Sequence, residues 1–418
     1  MSSNWTTSLG LALTLGVTGS ALEIREISTP AAPGAMGSSL VQAPDGTTCL
    51  SWLEPVGGEV WALKFSRFDA ALQRWGEAHT IAQGADWFIN WADFPQLAVQ
   101  RDGRMTAVWF VNNPAGSHAG HHGETYRAWH SVSTDGGVIW STPLPITGES
   151  NSVEFVAMQT LPDGRLLAAW LDGRARAAGN DRQALYARVL GAPGPDILVD
   201  GFVCDCCQLS FVPTTDGGAL LAYRGRTIDE VRDMQLARFD GQAWSRPVTL
   251  NADGWKITGC PVNGPQLAAC GDRIGAVWFT SPDNQPQVLA RVSANAGQSF
   301  DPVRRIDLGR PQGRVDCVML GDGTLAMVWL EMTGEVTGSM GGIYLRTLSP
   351  DGKLAEPRMI APSSTARMSG FPRLVLAGEW QLLLTCTQDS QPAHVVTFRV
   401  DLKNPAWRPA SSPDRRGR

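Results

Sequence analysis

Along most of the chain, apolar and polar residues alternate in short runs broken by Gly, Asp, Asn and Pro. That two-residue period belongs to strands with one buried face. One unit recurs: an alternating run, Asp-Gly, and a second run reaching an aromatic seven residues after the Asp. It occurs as Asp45…Trp52, Asp102…Trp109, Asp163…Trp170, Asp216…Tyr223 and Asp322…Trp329. A version one residue shorter is Asp272…Trp278, and a degraded copy runs through residues 374–386. The copies lie roughly 50 to 60 residues apart. Asp-Gly between two alternating runs predicts a tight hairpin.

After each aromatic come a variable loop, a third strand (residues 126–132, 185–189, 235–239 and 288–292) and a turn into a fourth segment, as at 144–146 and 248–250. Four antiparallel strands per unit, repeated radially, predict an all-β propeller. The last copy supplies only three strands, and residues 22–27 can add the fourth and close the ring. The count is then seven blades, or six if the last copy is irregular. A pair of stacked sandwiches is the competing architecture, and it does not account for so many aligned copies. The expected organisation is a leader or disordered segment over 1–21, one propeller over 22–402 and a disordered tail over 403–418.

Composition narrows the function. The 418 residues carry a net charge of −5, and no Lys/Arg run precedes the Arg-rich C-terminal end. Nucleic acid and anionic membranes are thus poor partners, and no apolar run is long enough to span a bilayer. The apolar run over 9–19, followed by Gly19-Ser20-Ala21, reads as a signal peptide lacking the usual preceding Lys/Arg. Periplasmic or secreted residence and a monomeric state are expected.

The turn between third and fourth strands carries a second signature. Ser133-Thr-Asp135-Gly-Gly137-Val-Ile-Trp140 matches Ser-x-Asp-x-Gly-x-x-Trp, and Ser293-Ala-Asn295-Ala-Gly297-Gln-Ser-Phe300 is a weaker copy. Degenerate versions end at Trp75 and Trp244, and Ser349-Pro-Asp351 starts another. In this the chain resembles the sialidase-like propellers built from BNR, or Asp-box, repeats. The Asp can accept turn N–H groups, Gly can take a positive φ, and the aromatic can pack between sheets. The box is a folding device, so the resemblance implies architecture more than activity. A sialidase needs three arginines converging on a carboxylate, an acid Asp, and a Tyr activated by a Glu. The Arg-Ile-Pro motif of that family is missing: the early arginine sits in Glu23-Ile-Arg25-Glu26-Ile27. The four tyrosines, 126, 186, 223 and 344, all fall at positions with structural explanations.

Propeller topology assigns the Asp-Gly hairpins and Asp boxes to one face. The other face receives the blade-to-blade loops (87–93, 149–154, 203–207, 254–265, 309–314, 365–371) and the long loops after second strands (112–124, 172–182, 224–232, 331–342). Irregular loops gathered on one face define a cleft. Two of them carry cysteines: Cys204-Asp205-Cys206-Cys207 and Gly259-Cys260-Pro-Val-Asn263-Gly264-Pro265. Three readings stay open for these four thiols: disulfides such as Cys260 with one of the trio, a soft-metal site, or redox-active or buried free thiols. Thiolates favour copper or zinc, and Cys-x-Cys-Cys is tighter than common zinc spacings, so copper comes first. His118, His121 and His122 share one cleft-face loop and are weaker metal candidates beside a flexible polar insert. Cys49, Cys270, Cys317 and Cys386 fall in strands and are expected to be small buried core residues.

Charged groups gather on the same face. Asp172-Gly-Arg174-Ala-Arg176 and Arg224-Gly-Arg226 follow second strands, with Glu230-Val-Arg232-Asp233 completing the second loop. Arg174, Arg224, Arg226, Arg314 and Arg367, with Asn263 and Trp255, are candidate contacts for an anionic ligand; the alternative is Asp–Arg pairing that orders the loops. Hydrolysis would need a carboxylate pair, for which Asp93, Glu154, Asp172 and Asp205 are candidates. The sequence thus points to binding of a soft metal, a glycan or a small anionic ligand. The alternatives are a sialidase-like glycoside hydrolase and a protein-interaction scaffold.

Overall fold

A computed structural model describes residues 24–113, 125–150, 152–180, 182–334, 340–403 and 407. It forms a ring of seven antiparallel sheets, each four strands deep from channel to rim. The third sheet is typical: Val153–Thr160 lines the channel, followed outward by Leu166–Asp172, Gln183–Val189 and Ile197–Val203. In the first sheet the outer position is shared by Arg74–Trp75 and His79–Gly84, both paired with Val60–Asp69. The ring closes as expected. Ile24–Ile27 pairs antiparallel with His394–Asp401, so the chain's first strand is the outermost strand of its last blade. No helix of the described residues is long and apolar enough to cross a membrane.

The repeated residues act locally as their chemistry dictates. In five copies the Asp carboxylate accepts the N–H two residues on (Thr47, Arg104, Arg165, Gly218 and Thr324), and the Gly between takes positive φ. The aromatic of each second strand is then buried between neighbouring sheets; Trp52, Trp170, Trp278 and Trp329 are fully enclosed. A buried indole N–H needs an acceptor. Trp52, Trp170 and Trp329 each find one two residues on, on the same strand face: Glu54, Asp172 and Glu331. The turn over 133–140 closes on itself. Asp135 accepts the N–H groups of Val138 and Ile139, Ser133 accepts that of Gly137, and Trp140 meets Phe65 of the preceding blade edge-on.

The three cysteines Cys49, Cys317 and Cys386 are buried among these sheets, but Cys270 is exposed. It ends the strand Gln266–Cys270 and pairs with Arg273 at the hairpin turn. The inner strands leave a central channel of about 220 Å³, lined in part by Gln96, Gln208, Gln266, Asp316 and Arg373.

Candidate functional site

The functional face is built where inner strands begin. Several start with an irregularity: the register shifts between Glu154 and Ala157 and between Gly313 and Asp316, with Phe155 and Arg314 at positive φ. Such bulges re-aim side chains at the mouth of a sheet. At Phe155 the strained backbone is held by Asp93, whose carboxylate accepts both the Phe155 N–H (2.8 Å) and the Tyr126 phenol (2.7 Å). The adjacent Glu154 thereby lines a cavity of about 270 Å³.

Five blade-entry loops and one loop after a second strand meet at this cavity. It is lined by Phe88, Asn90 and Trp91, by Glu154 and Arg176, by Asp205 and Cys206, by Cys260 and Val262, and by Arg367. The two cysteine loops are pinned together. Gln208 donates to the Ala92 carbonyl and accepts the Gly264 N–H, so blades two, four and five are tied through one side chain. A Cβ on Gly264 would overlap the Gln208 backbone, which is why glycine stands there. Arg224 completes the joint: its guanidinium donates to the carbonyls of Asn263, Arg232 and Phe279 and lies over the Trp255 ring at 4.8 Å.

The cysteines stand as thiols; none of the eight is bonded to another. The Cys204 sulfur is 3.9 Å from that of Cys206 and 3.6 Å from that of Cys207. Arg232, itself almost fully buried, places Nη1 3.2 Å from the Cys204 sulfur and 3.3 Å from Asp205 Oδ1. Burial alone would push the Cys204 thiol up, but donation from Cys206 and Cys207 and the Arg232 and Arg224 charges bring it well below the usual thiol range. Burial and donation to Cys204 push Cys206 and Cys207 the other way. One thiolate accepting from two thiols beneath a guanidinium is the arrangement this describes. Two donor sets lie within 4.8 Å: Cys204, Cys206 and Cys207, and Asp205, Cys206 and Cys260.

The carboxylates divide by environment. Asp172 is not at the cavity. It is fully buried, accepting the Trp170 indole and the backbone and guanidinium of Arg174, which also reaches Asp196 and Glu149. Asp205 is at the cavity, paired with Arg176 at 2.6 Å. Among the described residues Glu154 has no cation in contact and accepts only the Ser152 hydroxyl, and burial pushes its carboxyl up to about 7 despite Ser152 and Arg176. Burial likewise raises Asp93, against the Phe155 N–H and Tyr126 bonds.

The candidate arginines separate in the same way. Arg174 is enclosed by its three carboxylates and stacks on Tyr186, Arg226 grips Glu230, and Arg224 serves carbonyls. Arg314 is buried against Trp91 and donates to Ser369, Gly370 and Ala366. Asn263 is buried, accepting the Arg314 N–H and donating to Pro261 and Gln312. Trp255 packs on Phe279 below the loops. Only Arg367 of the set lines the cavity, joined by Arg176. Arg176, Arg232 and Tyr126 belong to the cavity or cluster and were not among the candidate site residues. Both arginines are visible as loop charges, but Arg176 reaches Asp205 from the neighbouring blade and Arg232 reaches it from another loop of the same blade. His118, His121 and His122, the segment 1–21 and most of 403–418 lie outside the described residues; Trp407 is buried against the closing blades.

No protein-family model and no curated protein matches the sequence. Solved structures do match in fold. The BP39L lectin of Burkholderia pseudomallei superposes with a TM-score of 0.57 at 12% identity, over 87% of this chain and 95% of that one. A Dyadobacter fermentans protein of unknown function gives 0.51 at 14% identity, over 91% and 99%. The NanB sialidase of Streptococcus pneumoniae gives 0.46 at 12% identity, over 90% of this chain and 70% of its own. The fold is therefore one shared with the BP39L lectin and the Dyadobacter fermentans protein, and identities this low speak to the fold alone.

Proposed function

We propose that this propeller is a soft-metal-binding protein whose ion sits on Cys204, Cys206 and Cys207. The observation that carries the reading is the thiol geometry. Two thiolates on one tetrahedral ion stand about 3.8 Å apart, given metal–sulfur bonds of about 2.3 Å, and the separations at Cys204 are 3.6 and 3.9 Å. Three soft donors, nearly sealed from water and held beneath Arg232, suit Cu(I) before zinc. In an exported protein such thiols would face an oxidising compartment, and ligation would protect them. The test is titration of reduced, metal-free protein with Cu(I) against a chromophoric Cu(I) chelator. Tight binding that disappears in a Cys204→Ala/Cys207→Ala variant supports the reading. A wild-type protein that never competes with the chelator overturns it.

A second reading, a glycoside hydrolase acting on an anionic sugar, is favoured by Glu154, an acid held near 7 in the same cavity as Tyr126. Against it, Tyr126 donates to Asp93, and Arg224 and Arg314 spend their donors on the protein. Turnover of fluorogenic sialosides or uronides, lost in Glu154→Gln, is the outcome that would favour it.

A further inference from the structure

We infer that the cluster holds two monovalent soft ions rather than one, bridged by the Cys206 sulfur, with the second on Asp205, Cys206 and Cys260, which line the cavity. The inference rests on the metal-binding reading and adds a second position of different accessibility.

Three observations carry it. The first is connectivity. The donor sets Cys204/Cys206/Cys207 and Asp205/Cys206/Cys260 share one atom, the Cys206 sulfur, and a thiolate has lone pairs enough to ligate two ions at once. Cys260 is delivered from the next blade by the Gln208–Gly264 joint, so the second set is assembled by the fold rather than by chain proximity.

The second is access. Cys204 and Cys207 are each 1% exposed and do not line the cavity, whereas Asp205, Cys206 and the half-buried Cys260 do. An ion on the inner set meets the cavity only at Cys206, its other two ligands being enclosed by protein. One on the outer set faces about 270 Å³ of open volume and can be reached by a small ligand or an exchanging thiol.

The third is the donor atom left open at Asp205. Asp205 remains able to ligate because its Oδ1 is held only by a long 3.3 Å contact to Arg232, while the short bond to Arg176 uses Oδ2.

The test is Cu(I) titration of the reduced full-length protein, with folding checked by circular dichroism, in wild type, Cys260→Ala and Asp205→Asn. The expected result is two equivalents in wild type, the second released to chelator at least about tenfold faster than the first. Cys260→Ala should keep a single slow equivalent, and Asp205→Asn should weaken the second alone. One equivalent in wild type, or two in folded Cys260→Ala, overturns the two-ion inference and leaves the inner site standing. No binding in wild type defeats the underlying reading itself.

Discussion

Arg232 Nη1 lies 3.2 Å from the Cys204 sulfur, a contact between a loop after the second strand of blade four and the loop that enters it. The pair is buried, so the guanidinium acts on the thiol with little solvent screening. It also receives Glu230 and Asp205, which makes Arg232 the electrostatic centre of the cluster.

Replacing Arg232 with Met should therefore raise the Cys204 thiol, burial being left less opposed. In metal-free protein, the pH at which the cluster's thiolate ultraviolet absorbance appears should move up by about one unit, a factor of ten in thiolate fraction. Loss of a buried ion-pair partner should also cost about 3–5 kcal/mol. Ultraviolet thiolate titration and urea unfolding read the two effects separately; Arg232→Lys should recover part of the first.

Glu154 makes stability depend on pH. Its folded value of about 7 lies above the ordinary 4.5, so between these limits the folded chain holds a proton that the unfolded chain has lost. Stability from this group is full below pH 4.5, falls as pH rises to 7 and is level beyond. Glu154→Gln should remove that slope and be more stable than wild type at pH 8 by on the order of 3 kcal/mol. Urea unfolding of metal-free protein at pH 5 and pH 8 checks it; an equal difference at both would show that Glu154 does not titrate there.

Asp172 separates structure from chemistry. Asp172→Asn leaves Arg174 short of the carboxylate it grips through both oxygens in a buried site and should cost about 3–5 kcal/mol. Metal stoichiometry should be unchanged, because Asp172 lies outside both donor sets. A loss of bound metal in folded protein would contradict this placement.

Gly264→Ala should act through the backbone. The added methyl forces residue 264 away from Gln208, loosening the joint that brings Cys260 beside Cys206. A stability loss of about 1–3 kcal/mol, as for other overpacked sites, should accompany weaker retention of the more accessible metal equivalent. Thermal melts and chelator competition measure the two.

The repeat in the sequence determined the strand order, the closure by the first strand and a count of seven or six blades, of which the structure has seven, because hairpins, Asp-box turns and the period of two are set by neighbours in the chain. The sorting of loops onto one face followed from topology, and so did the meeting of the Cys204–Cys207 segment with Cys260. Tertiary structure decided which charged residues are free. Arg224 and Asp172 look as reactive in sequence as Arg367 and Glu154, yet the first two are enclosed by partners and the latter two face a cavity. Those partners stand far away in sequence: Arg224 reaches Asn263 across 39 residues, Asp93 reaches Phe155 across 62, and Arg232 reaches Cys204 across 28. Burial and hydrogen-bond satisfaction are properties of the packed ring, and no local pattern encodes which donors the packing will leave unspent.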